Sequence, residues 1–287
     1  MIETIRDWCG RASGVRAAIL TGSRAKRRPS VDALSDWDVV LFLDDPAVLT
    51  EDPDWFSAFG PVLVSIPAAS QELGQYVAAR LVQYQDGRRV DFSLFPIDML
   101  RVISILPELP PWLDAGYQVF YDPEGLTGSM VPPFGRGYAG RPPASHEVTA
   151  DIEEFWWEAL VVAKELNRQE TVAAAYSAES VMRHGLLRRM LEWKAGVDSG
   201  WSKPGGPFGR GLSGNLSDDL IRRARPEISV WEGEAGWAEL MRLGNLYAEL
   251  SRAVLHNIGA EYPDDLENEA RRLLGERRSE WPAPEIR

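Results

Sequence analysis

Short apolar runs alternate with polar turns over the first 130 residues. Val39–Leu43 is rich in β-branched residues, is too short for a helix and is bounded by polar residues, which predicts a buried strand. The same reasoning predicts strands at Val15–Leu20 and Pro61–Ile66 and helical segments at Ile2–Cys9, Trp55–Phe59 and Ile97–Leu106. Mixed short strands and helices are typical of an α/β or α+β domain, which we place at residues 1–135.

The pattern changes after Ser145. Apolar residues then recur at steps of three and four, which is the spacing of helices with one buried face. The first such helix would bury Val148, Ile152, Phe155, Ala159, Val162 and Leu166. A stretch rich in proline and glycine, residues 132–143, precedes it and predicts a domain boundary. The fold expected is therefore α+β: a mixed sheet with flanking helices, followed by a C-terminal helical bundle at residues 145–287.

A hairpin is predicted around Asp86-Gly87. Leu81–Gln85 and Arg88–Phe95 are strand-like segments on either side, and we expect a two-residue Asp-Gly loop to join them. Alternation along the second strand places Val90, Phe92 and Leu94 on one face and Asp91 on the other. We expect this strand to lie beside the one that carries Asp38.

The candidate chemistry begins with acids at the start of the 39–43 strand. Asp36 and Asp38 are two residues apart, so their side chains point the same way, roughly 6–7 Å apart at Cα. Carboxylates at such a place suit Mg²⁺ carrying substrate phosphates. Asp91 would add a metal ligand or a general base. Taken singly, Asp36 is typical of a turn or cap, and Asp91 of an exposed strand acid.

Residues before this strand could bind phosphate. Gly22 would let the backbone approach closely, Ser23 would add a hydroxyl donor, and Arg24 a charged fork. A basic loop follows at Lys26–Arg28. It could clamp phosphates or be a solvated loop, and both interpretations stay open.

The ordered series of these motifs resembles a known family. The motifs are Thr21-Gly22-Ser23-Arg24, Asp36-Trp37-Asp38, Asp91–Pro96, Glu154–Trp157, Val162–Lys164, Met190–Trp193 and Glu261–Pro263. Together they resemble the aminoglycoside 6-adenylyltransferases, or streptomycin adenylyltransferases, of the polymerase-β-like nucleotidyltransferase superfamily. The resemblance spans nearly the whole chain.

That resemblance implies a function. It implies transfer of AMP from ATP, with Mg²⁺, to a hydroxyl of streptomycin or a related aminoglycoside, which inactivates the antibiotic. Asp36, Asp38 and Asp91 would hold the metal and carry catalysis. The nucleotide would be bound by Gly22, Ser23, Arg24 and Lys164. The cationic acceptor would meet Glu153, Glu154 and Trp157, since a cationic sugar favours carboxylates and an aromatic face.

The acceptor is less well defined. The chain has Thr21, Trp37 and Lys194 where the family resemblance predicts Asn, Tyr and His, and the segment 207–216 lacks an expected lysine-rich pattern. Another small molecule or a protein side chain is therefore an alternative acceptor. A non-catalytic nucleotide-binding or antitoxin-like module is a third interpretation, which the three acids disfavour.

The overall composition limits the classes of partner and the location that we expect for this protein. A net charge of −12 argues against a nucleic-acid partner and suits a polycation, although acidity alone also serves solubility. A single cysteine excludes an internal disulfide, and no apolar run is long enough to span a membrane. We expect a cytoplasmic protein, monomeric or homodimeric, without a signal peptide.

Overall fold

The computed structural model describes residues 1–25, 31–32, 34–135, 141–202 and 207–280. The basic loop Lys26–Arg28, part of the proline- and glycine-rich connector, and Gly205-Gly206 lie outside the described residues. The chain divides into two compact units, Met1–Tyr138 and Ala139–Arg287.

The first unit is built on a mixed sheet. Within its described residues the strands are β1 Val15–Thr21, β2 Trp37–Leu43, β3 Val62–Glu72, β4 Gln75–Tyr84, β5 Arg89–Pro96 and β6 Gln118–Tyr121. Their order across the sheet is β3-β4-β5-β2-β1-β6. The β2–β5 pair is parallel, and the other pairs are antiparallel.

Helices flank this sheet. Their bounds are α1 Ile2–Cys9, α2 Gly22–Ala25, α3 Ala47–Glu51, α4 Ile97–Ser104 and α5 Pro111–Asp114, with a 3₁₀ turn at Trp55–Phe59. Strand β2 is buried on both faces, because Val39 and Leu41 pack in one layer and Val40 and Phe42 in the other. A strand covered on both sides reads as a continuous apolar run, which is the pattern in the sequence.

Cys9 ends α1 inside the first of these layers. Burial is the main cause that raises the pKa of its thiol to about 12, against a smaller opposing effect of a backbone hydrogen bond. The thiol is therefore protonated and enclosed at neutral pH.

Two hairpins differ in detail from the prediction. Strand β3 runs to Glu72, well past the expected end at Ile66, and turns into β4 through Leu73 and Gly74, both at positive φ. The β4–β5 hairpin is present, but the two-residue loop is wrong. The amide of Tyr84 donates to the carbonyl of Arg88 (2.8 Å), which leaves a three-residue turn, Gln85–Gly87, with Gly87 at φ +87°.

The second unit is helical throughout its regular structure in the described residues. Its helices are α6 Ser145–Asn167, α7 Thr171–Ala175, α8 Arg188–Ser199, α9 Leu212–Asn215, α10 Asp218–Ala224, α11 Gly233–Asn257 and α12 Asp264–Ser279, with a π-helical segment at Tyr176–Leu187 between α7 and α8. All six apolar positions predicted for the first helix are buried in one core. This confirms the helical period of the sequence.

A buried ion-pair network lies inside this core. The Arg183 guanidinium contacts Glu239 at 2.6 Å and Glu179 at 2.9 Å, and Arg183 and Glu239 are 5% and 2% exposed. Arg242 also contacts Glu239, at 2.6 Å, and Arg183 donates to the carbonyl of Ala224. Since these partners satisfy one another, the network has a structural character.

Candidate active site

The register of three strands aligns Thr21, Asp38 and Asp91. Asp38 is the second residue of β2 and pairs at Cα with Thr21 on β1 and with Asp91 on β5. Backbone hydrogen bonds of the sheet set this alignment. The strand of Asp91 therefore lies beside the strand of Asp38, as predicted. Asp38 is at the start of β2, and Asp91 is opposite it on β5.

Alternation decides which side chains point to the site. Val90, Phe92 and Leu94 are buried, whereas Asp91 and Ser93 between them are partly exposed, as the period of two requires. Asp36 lies just before β2 and is about one-third exposed.

Gly22 touches the carboxylate of Asp38. Its φ is +66°, and a Cβ built there would lie 1.9 Å from Oδ2 of Asp38 and 2.6 Å from its Cγ. No side chain fits in that space, and the backbone angle itself favours glycine. The glycine therefore allows the Asp38 carboxylate to lie directly against the backbone at the start of α2, and Ser23 follows in the same turn.

Arg24 binds the chain on the approach to β2. Its Nε donates to the carbonyls of Ser35 (3.2 Å) and Asp36 (3.1 Å), and a terminal nitrogen donates to Ser35 at 2.7 Å. Its guanidinium carbon also lies 4.1 Å from the ring centroid of Trp37. These contacts hold residues 35–37 in place. The direct phosphate role predicted for Arg24 stays a prediction, and the observed contacts give it a positioning role.

Arg89 was not singled out by the sequence analysis. Its Nε and a terminal nitrogen donate to the two oxygens of Asp91, at 2.9 and 2.8 Å, and its other terminal nitrogen is 3.6 Å from Asp36. The hydrogen bonds to Asp91 are the main cause that raises the pKa of Arg89; burial opposes them, and the charges of Asp91, Asp36 and Asp38 add to them. The signal was present in the sequence, since residues 89 and 91 share a strand face.

The donor set suits a divalent cation. Three carboxylates at neighbouring strand ends supply the hard oxygen ligands that Mg²⁺ prefers, and a cationic guanidinium already lies among them. No three acidic, histidine or cysteine side chains of the described residues converge closely enough to hold a metal as they stand. Arg89 engages both carboxylate oxygens of Asp91.

The remaining predicted residues lie on α6 of the second unit. Glu153, Glu154 and Trp157 are exposed, Trp157 at 70%. The adjacent Trp156 is buried and donates from Nε1 to the hydroxyl of Tyr262 (3.3 Å). Only one of the two tryptophans thus packs in the core, as their 100° separation on a helix requires. Lys164 is exposed and lies 2.9 Å from Glu165.

Asp151 is a further acid on α6 that sequence reasoning missed. It is buried and contacts Arg189 at 2.6 Å. Burial is the main cause that raises the pKa of its carboxyl, against the opposing charge of Arg189. Its spacing of three residues from Val148 and four from Phe155, both buried, would have placed it on the core face of the helix in a helical projection.

Comparisons with known proteins identify the family. The sequence model of the family described as streptomycin adenylyltransferase matches residues 1–276. An aminoglycoside 6-adenylyltransferase of Bacillus subtilis (strain 168) is 25% identical over 272 residues, 92% of each chain. Another, from Staphylococcus aureus, is 25% identical over 206 residues, 70% of each chain.

The chain also resembles a solved structure with a similar name. A crystal structure of an aminoglycoside 6-adenyltransferase from Bacillus subtilis covers 97% of both chains at 19% identity, with a TM-score of 0.47. In the described part of this chain, none of the helices has the length and apolarity that a membrane span requires. The match of the family model over 276 of the 287 residues is decisive: the chain belongs to the streptomycin adenylyltransferase family of nucleotidyltransferases.

Proposed function

We propose that this protein transfers AMP from ATP to a hydroxyl of streptomycin or a related aminoglycoside, in a reaction that needs Mg²⁺. The observation that supports it most is the alignment of Asp38 with Asp91 across β2 and β5, with Gly22 against the Asp38 carboxylate. The family to which the chain belongs supplies the reaction class. Inactivation of the antibiotic would follow from the change in its structure.

Asp36 and Asp38 are proposed to hold the metal. When bound, Mg²⁺ would neutralise charge on the triphosphate. Gly22 and Ser23 are proposed to bind phosphate at the start of α2, where Gly22 also admits the Asp38 carboxylate and Ser23 offers a hydroxyl donor. Arg24 fixes residues 35–37 and so fixes where Asp36 stands. Lys164 is proposed to bind phosphate groups of ATP, which rests on the family likeness.

Asp91 has one of two proposed roles. In adenylyl transfer the acceptor oxygen forms a bond to the α-phosphorus, the bond from that phosphorus to the bridging oxygen breaks, and pyrophosphate leaves. The hydroxyl proton needs an acceptor, which Asp91 could be. Alternatively Asp91 ligates the metal. The variant Asp91→Asn separates these roles: loss of turnover with unchanged binding of a non-hydrolysable ATP analogue supports the base, and loss of both supports the ligand.

The acceptor is proposed to be cationic. The chain carries a net charge of −12, and α6 exposes Glu153, Glu154 and Trp157, which together offer carboxylates and an aromatic face to an ammonium or guanidinium group. An acceptor other than an aminoglycoside stays the second interpretation, because of the departures at Thr21, Trp37 and Lys194. The absence of a nucleic-acid partner, cytoplasmic residence and a monomeric or homodimeric state stay predictions.

A panel assay tests the proposal. The protein would be incubated with Mg²⁺, ATP and each of a set of aminoglycosides, and pyrophosphate release and the mass of the acceptor would be measured. We expect release that depends on the acceptor, and a gain of one adenylyl group on streptomycin. Release with no aminoglycoside, or transfer only to another small molecule or protein, would contradict the proposed acceptor. No nucleotide turnover with any acceptor would contradict the proposed reaction.

A further inference from the structure

Arg89 donates hydrogen bonds to both carboxylate oxygens of Asp91, which is one of the proposed metal ligands. The two residues share a face of β5, and the guanidinium forms two nearly equal hydrogen bonds, of 2.9 and 2.8 Å, to the two carboxylate oxygens. This is the paired geometry in which arginine binds carboxylates most strongly. Its third nitrogen lies 3.6 Å from Asp36.

A guanidinium in that position engages one lone pair on each oxygen, and its positive charge repels another cation from the same carboxylate. A metal that used Asp91 would need one or both of the oxygens that Arg89 now engages. The carboxylate of Asp91 is 21% exposed and the side chain of Arg89 is 43% exposed, so Arg89 has solvent into which it can turn. The arrangement is therefore reversible without movement of the strands.

We propose that Arg89 is an internal cation that holds Asp91 and Asp36 in place before the metal binds, and that it competes with the metal for Asp91. This inference rests on the proposed function, and within it on the role of Asp91 as a metal ligand, because it assumes a divalent ion at the three acids. Arg89 would be a positioning residue. Repulsion between carboxylates is relieved in the metal-free protein by the guanidinium and afterwards by the metal.

If Arg89 competes with the metal, its loss changes metal affinity in the direction opposite to the loss of a metal ligand or of a purely structural residue. Loss of a ligand, or local disorder after loss of a structural contact, weakens metal binding. Loss of a competitor strengthens it. The direction of the change in metal affinity therefore distinguishes these roles without any measurement of turnover.

The experiment measures binding of Mn²⁺ alone, as a paramagnetic substitute for Mg²⁺, by the electron paramagnetic resonance signal of the free ion. Arg89→Gln is expected to bind Mn²⁺ about tenfold more tightly than wild type, a change of about 1.4 kcal/mol. Circular dichroism and thermal unfolding in EDTA would show that the variant is folded. An unchanged or weaker affinity in the folded variant overturns the proposal.

Arg88→Gln is the matched control for charge. Arg88 is the adjacent residue, but its guanidinium contacts Asp86 at 2.6 Å and the carbonyl of Phe59 at 3.2 Å instead of the three acids. Its Mn²⁺ affinity should stay within about twofold of wild type, because exposed charges at a distance are screened. Equal tightening in Arg88→Gln and Arg89→Gln would show a general effect of charge and would overturn the competition.

Two further variants test the route through Asp91. In an Asp91→Asn background the change Arg89→Gln should have little effect on Mn²⁺ affinity, since the charged carboxylate for which the two cations compete is gone; a full tenfold gain there overturns the proposal. Arg89→Lys keeps the charge and loses the planar fork, and it carries the test if Arg89→Gln does not fold. Competition predicts tighter Mn²⁺ binding by Arg89→Lys than by wild type, and equal binding contradicts it.

Mn²⁺ binding by the wild-type protein distinguishes a failure of the proposed metal site from a failure of the proposed competition. If wild type binds Mn²⁺ and Asp38→Asn weakens it, the metal site of the proposed function stands, and the Arg89 variants decide the competition alone. If wild type and Asp38→Asn bind Mn²⁺ equally poorly, and Arg89→Gln does not improve it, both the metal site and the competition are wrong.

Discussion

Both units contain a cluster of charged side chains, and the two clusters are built differently. In the helical unit, Glu179, Arg183, Glu239 and Arg242 carry no net formal charge and contact one another around a buried centre. In the sheet unit, Asp36, Asp38, Asp91 and Arg89 carry a formal charge of −2 and are partly exposed at strand ends. A balanced buried cluster fixes a fold, whereas an acidic one open to solvent can take up a cation.

The means of positioning differ as well. The acids of the sheet are placed by backbone pairing, with Asp38 opposite both Thr21 and Asp91. The ions of the helical unit are placed by their contacts with each other and with the backbone carbonyls of Arg223, Ala224 and Arg225. Substitutions in the first cluster should therefore change chemistry more than stability, and substitutions in the second the reverse.

Among the substitutions that test this difference between the clusters, Asp38→Asn has the largest expected effect. The variant keeps the shape of the side chain and removes its charge, so turnover should fall by about 10²-fold or more while the fold is retained. Steady-state pyrophosphate release and urea unfolding would be measured on the same preparation. Turnover near that of wild type at ordinary Mg²⁺ would remove Asp38 from the metal site.

Gly22→Ala tests the contact between backbone and carboxylate. The new methyl group would displace Asp38, and we expect turnover to fall by about tenfold or more, since small misplacements of reacting groups are costly. Gly74→Ala is the control, because Gly74 also has a positive φ (+77°) but a Cβ there meets nothing within 4 Å. If both variants lose turnover equally, backbone strain and not the carboxylate contact is responsible.

Arg183→Met tests the balanced cluster. It leaves Glu239 buried with one cationic partner fewer, and we expect the free energy of unfolding to fall by about 3 kcal/mol. The exposed pair of Arg222 with Asp219 provides the control Arg222→Met, which should change stability by less than about 1 kcal/mol. Urea unfolding measures both. A stable Arg183→Met protein with lost turnover would contradict the contrast between the clusters.

Glu267→Gln should show the smallest effect, and one that depends on pH. Burial opposes but does not overcome the hydrogen bonds and charges, chiefly of Arg271, Tyr262 and Arg252, that lower the pKa of this carboxyl. A lowered carboxyl pKa contributes stability above the ordinary value of 4.5, and that contribution is lost as pH falls through the folded value.

We therefore expect Glu267→Gln to be about 1–2 kcal/mol less stable than wild type at pH 7, with the difference shrinking below about pH 4.5. Thermal or urea unfolding from pH 7 to pH 3 measures it. A difference that stays constant over that range would mean that lost packing, and not the charge, is the cause.

The sequence predicted which strand face carries Asp91 because alternation is a local property, whereas its place beside Asp38 depends on the pairing of β2 with β5, which are distant in sequence. It did not indicate the length of β3 and β4, since residues 67–72 have weak strand propensity and are held by pairing with β4. The short edge strand β6 and the π-helical segment Tyr176–Leu187 likewise depend on neighbours distant in sequence.

The chemistry was predicted unevenly for a related reason. Acids two residues apart stand out in a sequence, and alternation also places Arg89 on the face of Asp91. That the two side chains form hydrogen bonds, and that Arg24 binds backbone carbonyls, is visible only in the structure. Buried Asp151 was missed because its burial follows from the packing of Val148 and Phe155 beside it on α6 and not from its own residue type. The sequence pattern thus predicted which residues share a strand or helix face. The contacts in the structure show which of those side chains are already hydrogen-bonded.

The enclosed thiol of Cys9 has a practical consequence. It is the only cysteine in the sequence and is buried with its pKa raised to about 12, so alkylating reagents at neutral pH should leave it untouched. A cysteine introduced at exposed Ala150 on α6, about one turn before Glu153 and Glu154, would then be the one reactive thiol among the described residues. A spin label or fluorophore attached there would report acceptor binding spectroscopically, in a protein that keeps its native Cys9.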